Sequence, residues 1–215
     1  MSSRILIVTA VEAERKAIED GLKVPEHFHV IAGGAGPASA AAATAAALAS
    51  ASYKLVINAG IGGGFPGRAE LGEIVISTEI IQADLGSETA EGFRSVDELG
   101  FGNSRVIADP GAIRSIHSVL QESTDVTVHC GPIITVSTTT GTAQTAQELL
   151  RRVPEAYAES MEGYGVAAAA SYLNVPVLEI RAISNAVGPR DREAWRIPEA
   201  LQALTTVSHQ LSEVL

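Results

Sequence analysis

Short, unbroken apolar runs alternate along this chain with longer stretches in which apolar residues recur at helical spacing, an order that predicts strands and helices in alternation. Ile5–Thr9 is the first such run and predicts a buried strand, with Ala10–Glu14 as the turn beyond it and a helix over Ala13–Leu22. His27-Phe28-His29 alternates into Val30-Ile31, which predicts a strand carrying both histidines on one solvent-facing side. A glycine turn at Gly33–Gly36 opens an Ala-rich helix from Pro37 to about Ala51, whose small side chains suit close packing on a sheet. Leu55–Ala59 predicts another buried strand, running into a ligand-facing glycine turn, Gly60–Gly64, with freedom to take positive φ. A strand at Glu73–Thr78 follows, then a polar, glycine-punctuated loop, Glu79–Asn103, of the kind used as a lid, binding loop or interface.

The second half repeats the alternation. Ala108–Gln121 predicts a helix, Val126–Val128 a short edge strand and Gly131–Val136 a strand. That strand ends in Ser137–Gly141, whose hydroxyls either face a ligand or cap the helix Ala143–Arg152. Tyr164–Leu173 is a small-residue helix and Val175–Ile183 a continuous apolar strand. The final helix, Pro198–Val214, keeps Leu201, Leu204, Val207, Leu211 and Val214 on one face.

These elements bring distant polar residues together. A helix packed on a parallel sheet runs antiparallel to the strand that follows it. Tyr164–Leu173 spans roughly 15 Å at ~1.5 Å per residue, and six strand residues cover roughly 20 Å at ~3.3 Å each. Glu162 at the helix start and Ser184-Asn185 at the strand end therefore meet at one sheet edge, where open α/β sheets bind ligands. Glu14 reaches the same edge if the first strand is parallel, although an acid in the first turn of a helix is also favoured by the macrodipole alone.

Length and composition narrow the classes. The chain has 215 residues, enough for one large α/β domain over 1–215. A formal net charge of −10 argues against a nucleic-acid partner, because phosphate binding depends on clustered Lys and Arg. The lone Cys130 excludes an internal disulfide and fits a reducing, cytoplasmic location, with the thiol read as a small buried hydrophobe. The N-terminal apolar run meets acids at once and lacks a secretory cleavage pattern. Ala35–Ser52 is too weakly apolar, and too interrupted by Pro, Ser and Thr, for a membrane span. Without an HExxH or Cys-His cluster, a P-loop or a GxSxG elbow, no metal or cofactor is expected. Gly60-Ile-Gly62 begins like a dinucleotide fingerprint, but a Pro/Gly turn and a strand follow where that motif needs a helix. A nicotinamide-linked oxidoreductase is thus the weak rival.

The remaining inventory is carboxylates, one amide and hydroxyls. Two placed carboxylates in a purine-sized cleft suit water attack on a glycosidic carbon, where positive charge develops on the sugar. On AVEAE (Ala10–Glu14), NAGIGGGF (Asn58–Phe65), SMEGYGVA (Ser160–Ala167) and RAISN (Arg181–Asn185), essentially the whole chain resembles the nucleoside phosphorylase/nucleosidase superfamily. Within it the chain is similar to the methylthioadenosine/adenosylhomocysteine nucleosidases and the futalosine hydrolases. The resemblance implies a three-layer α/β/α sandwich with a mixed, barrel-like central sheet, and a homodimer or higher homo-oligomer acting on a small nucleoside. It implies that Glu14 activates the attacking water and Asn185 engages the leaving base. Glu162 would hold the ribose hydroxyls with Met161 on the sugar, and Gly62 and Gly63 would line the ribose side. Thr139 and Thr140 would offer backbone groups to the base, with Arg181 and Ser184 in support.

Position 185 departs from the adenine-specific nucleosidases, which carry Asp there. An Asn cannot supply a proton to N7, but its amide can donate to a 6-oxo group while its oxygen accepts from a protonated N7. The expectation is a hypoxanthine leaving group, as in futalosine, an intermediate of menaquinone biosynthesis with a carboxyphenyl-ketone tail. Arg190 or Arg192 would bind that carboxylate and Trp195 pack on its aryl ring, since Arg presents a planar fork. The bland alternative is a surface Arg paired with Asp191 or Glu193. The rival chemistries are methylthioadenosine/adenosylhomocysteine cleavage and phosphorolysis, the latter opposed by Glu14, whose charge repels phosphate.

Overall fold

In the computed structural model, which describes residues 4–214, the first apolar run forms β1 (Ile5–Thr9), buried along its whole length. The chain continues through α1 (Glu12–Gly21), β2 (Phe28–Ala32), α2 (Pro37–Ser50), β3 (Leu55–Gly64), β4 (Ile74–Gln82), β5 (Gly86–Thr89), β6 (Gly92–Ser95) and α3 (Val96–Leu99). It closes with β7 (Arg105–Ile107), α4 (Pro110–Ser123), β8 (Val128–Thr135), α5 (Ala143–Arg152), β9 (Ala158–Ser160), α6 (Gly163–Tyr172), β10 (Val177–Ala186) and α7 (Ile197–Val214).

The main sheet runs β2-β1-β3-β9-β8-β4-β10, and β10 also pairs with β3. Strands β3, β9, β8, β4 and β10 therefore close a ring, with β1 and β2 continuing from one side of it. Pairing is mixed: β10 lies parallel to β3 and antiparallel to β4, and β9 lies antiparallel to β3 and parallel to β8. Helices α1, α4 and α7 cover one face through Ile18, Ile116, Leu204 and Leu211. Helices α2 and α6 cover the other through Ala40, Ala47, Val166 and Ala170. This is the expected α/β/α sandwich. Each fully buried Ile or Leu contributes about 1.5–3 kcal/mol, whereas the alanine faces of α2 and α6 act by closeness. A Cβ added at Gly165 of α6 would come within 2.0 Å of the Pro37 carbonyl. No helix of the described residues is long and apolar enough to cross a membrane.

Five expectations give way to the structure. Gly60–Gly64 is the second half of β3, not a turn, and none of these glycines takes positive φ. Their smallness is needed for close approach: a Cβ at Gly60 would lie 2.5 Å from Arg181 Nη1 and 2.7 Å from Glu14 Oε1. His27 sits in a short 3-10 turn, and His29 alone is in β2, its ring against Tyr53. The two strands expected around Gly131 are one strand, β8, between β4 and β9. The cap of α5 is Thr142, whose hydroxyl accepts from Thr145 N–H at 3.1 Å, not one of Ser137–Thr140. The segment 79–103 is not an irregular loop: β4 extends to Gln82 and the β5–β6 hairpin follows.

Candidate active site

Strand β10 also runs further than its apolar stretch, to Ala186, and its pairing with β3 shifts register between Ile183 and Asn185. The irregularity leaves Ser184 as the extra residue, a local kink of the kind that re-aims a side chain. Ser184 Oγ donates to Asn185 Oδ1 at 2.9 Å and Asn185 Nδ2 donates to the Ala186 carbonyl at 3.2 Å, which together orient the amide.

A cavity of about 260 Å³ opens beside this kink. Its lining includes Glu14 from α1, Gly62 and Gly63 from β3, Thr139 and Thr140 after β8, and Met161 and Glu162 before α6. Ser184, Asn185, Arg190 and Trp195 complete the expected set. Eleven of the thirteen expected residues thus meet in one cavity. Arg181 and Arg192 do not line it.

Glu14 is 3% exposed and its carboxylate is held entirely by backbone donors. Oε2 accepts from Ala10 and Val11 N–H at 2.9 and 3.2 Å, and Oε1 from Ile61 N–H at 2.9 Å. Glu14 therefore ties the first turn of α1 to β3 and lines the cavity as well. Glu162 is 4% exposed and stands at the N-terminus of α6, where the helix dipole favours a negative charge. Its Oε1 accepts from Gly36 N–H at 3.1 Å, and its Oε2 lies 3.5 Å from Arg181 Nη1. Gly36 has φ +88°, a conformation that favours glycine.

Arg181 is fully buried and lies outside the cavity lining. Its Nε donates to Glu179 Oε1 at 2.8 Å, Nη1 to the Ile61 carbonyl at 3.3 Å and Nη2 to Asn58 Oδ1. Burial works against its charge, yet Glu179, Glu162 and Glu14 together outweigh that and hold it above the usual arginine value. Glu179 is fully buried against the start of α6: a Cβ at Gly163 would fall 2.0 Å from its Oε2. Burial pushes its carboxyl up, against the opposing pull of Arg181.

Arg190 is tied to the Thr139–Thr140 loop by its own N–H, which donates to the Gly141 carbonyl at 3.2 Å, and its guanidinium sits 5.0 Å from the Trp195 ring centroid. Arg192 stacks more distantly on the same ring, at 5.9 Å, outside the lining. Asp191 turns its carboxylate to Glu193 N–H instead of to either arginine.

Glu159, a buried carboxylate outside the expected set, also lines the cavity. Its only signal is an acid directly before SMEG, on a strand of three residues too short to show a period. Thr140 donates to it from its N–H, at 2.8 Å, and from its hydroxyl. Burial pushes the Glu159 carboxyl up, against the pull of the Thr140 bonds.

Residues 22–215 match the family model of the phosphorylase superfamily. A futalosine hydrolase of Streptomyces coelicolor is 45% identical over 98% of this chain and 96% of its own length. One of Acidothermus cellulolyticus is 42% identical over 95% of this chain and 88% of its own. Among solved structures, the native futalosine hydrolase of Helicobacter pylori superimposes with a TM-score of 0.87 at 15% identity, covering 100% of this chain and 99% of that one. The Neisseria meningitidis 5'-methylthioadenosine/S-adenosylhomocysteine nucleosidase with methylthio-immucillin-A gives 0.87 at 20% identity, covering 98% and 99%. At such identities the likeness is one of fold.

Proposed function

Because the chain belongs to the phosphorylase superfamily and, within it, to the futalosine hydrolases, we propose that it hydrolyses the N-glycosidic bond of futalosine, releasing hypoxanthine and leaving dehypoxanthine futalosine for menaquinone biosynthesis. The observation that carries the reading is the meeting of Glu14, Glu162 and Asn185 around one cavity. Water held by Glu14 attacks the anomeric carbon and gives a proton to the Glu14 carboxylate; the bond to the base breaks, its electron pair passes to the purine, and the departing hypoxanthine anion takes its proton from solvent. Glu162 holds the ribose hydroxyls, and Met161, Gly62 and Gly63 pack about the sugar. Asn185 donates to the keto base, and Thr139 and Thr140 offer backbone groups to it. Ser184 and Arg181 hold Asn185 and Glu162 in place without touching the substrate. The test is base release without phosphate: hypoxanthine from futalosine should appear faster than adenine from methylthioadenosine. Faster adenine release, or a need for phosphate, overturns the reading.

Arg190, against Trp195 at the cavity wall, is assigned to the substrate carboxylate in preference to Arg192. Arg190→Ala should raise KM for futalosine by about tenfold, the scale of one charge-assisted bond, and leave inosine unaffected. Equal effects on both substrates would remove the assignment. We place the protein in the cytoplasm, and as a homodimer or higher homo-oligomer; the apolar exposure of Phe101, Ile107 and Tyr172 supports the assembly. A monomeric mass by light scattering would refute the oligomer.

A further inference from the structure

Glu159 has no part in the hydrolysis just described, yet it is a buried acid facing the substrate cavity. Strand register places it with care. Asn185 pairs with Gly63 across β10 and β3, and Gly63 pairs with Glu159 across β3 and β9. Directly paired residues share a face, so Asn185 and Glu159 flank a residue with no side chain, two strand spacings or roughly 10 Å apart. A Cβ at Gly63 would sit 2.8 Å from Val187 Cγ2 and 3.2 Å from Asn185 Nδ2, so only glycine lets the amide lie this close to the strand. Both residues line the cavity, so a purine seated there can meet the amide at one edge and the carboxylate at another.

The chemistry of the two ends is complementary to one kind of purine. A 6-oxopurine offers acceptors at O6 and N7 and a donor at N1; a 6-aminopurine offers an amino donor and an acceptor at N1. Asn185 alone does not decide between them, because an amide can donate or accept. Glu159 does. Thr140 donates to both of its oxygens, and a carboxylate has room for about four such bonds. The lone pairs left over can receive N1–H of a keto base, whereas N1 of adenine would meet them acceptor to acceptor.

We propose that Glu159 is the residue that selects the base, accepting N1–H of the 6-oxopurine while Asn185 serves the O6/N7 edge; the assignment rests on the hydrolase reading above. Burial raises the Glu159 carboxyl, and the two Thr140 donors oppose this by favouring the ionised form. Binding of N1–H adds a third donor to that form.

The experiment compares futalosine with its 6-amino counterpart, identical except at the purine, on the intact enzyme and on Glu159→Gln. The wild type should favour futalosine, and the variant's preference should fall by about tenfold or more, since the Gln amide can also donate to N1 of the amino base. An equal loss on both substrates would mean that Glu159 only anchors the Thr140 loop, and the proposal fails. Free bases give a second readout that needs neither turnover nor a variant. Hypoxanthine should bind the wild type at least about tenfold more tightly than 1-methylhypoxanthine, which lacks N1–H; equal binding overturns the assignment. Absence of base release from either nucleoside counts against the hydrolase reading, and the free-base titration then still decides Glu159.

Discussion

Glu14→Gln is expected to lower turnover of futalosine by about a hundred- to ten-thousandfold, the usual weight of a positioned base in proton transfer. The backbone donors of Ala10, Val11 and Ile61 occupy three of the carboxylate's acceptor sites and hold it rigidly at the cavity wall. What remains is one acceptor direction for a hydrogen of water. The other buried acids do not replace it: Glu162 answers Gly36 and Arg181, and Glu159 answers Thr140. Gln also costs stability. Its oxygen can serve Ala10 and Val11, but its NH₂ then faces Ile61 N–H, donor to donor, a mismatch of about 1–3 kcal/mol. Single-turnover hypoxanthine release and a denaturant titration separate the two effects. A folded variant within about tenfold of wild-type turnover would leave Glu14 as a helix-start residue and no more.

Glu14 also shows how far the sequence could be read. Its spacing after an apolar strand placed it at the ligand edge, and the same spacing allowed a purely structural acid; the coordinates satisfy both because the carboxylate bonds across α1 and β3 at once. Glu162 and Asn185 were legible for a geometric reason, a helix and strand of matched length joined by a short turn. The glycine run misled because glycines usually mark turns, whereas here they stay extended to admit Arg181 and Glu14 beside the strand. Arg181 read as a site residue because its motif adjoins Asn185. Strand alternation and the ring closed by β3 and β10 send it inward instead, a consequence of long-range pairing that no local pattern carries. Glu159 was invisible for the same reason, since its place beside Gly63 is set by pairing across β9.

Arg181→Met is expected to destabilise the fold by about 3–5 kcal/mol, the cost of stripping the partner from a buried charge. Three carboxylates, Glu14, Glu162 and Glu179, surround this one guanidinium. Glu179 is the most exposed to the loss: its Oε2 already lacks a hydrogen-bond partner, and Oε1 would lose Arg181 Nε. The pH dependence follows from the direction of its shift. Burial already raises the folded Glu179 carboxyl above the ordinary value, and removing the cation raises it further. A carboxyl that binds its proton more tightly when folded favours the folded state at low pH and loses that contribution as pH rises through the folded pKa. The Arg181→Met deficit should therefore be largest at and above neutral pH and shrink towards the ordinary glutamate range near about 4.3. Denaturant midpoints across that window measure it, and a deficit that grows on acidification would contradict the account. Replacing both members, with Glu179→Leu added, should recover most of the stability, because a buried ion pair and an apolar pair of similar volume are often nearly equivalent. Activity should not return with it. Glu162 would keep Gly36 N–H but lose the cation 3.5 Å away that fixes its second oxygen, so the double variant separates what the pair does for the fold from what it does for the sugar.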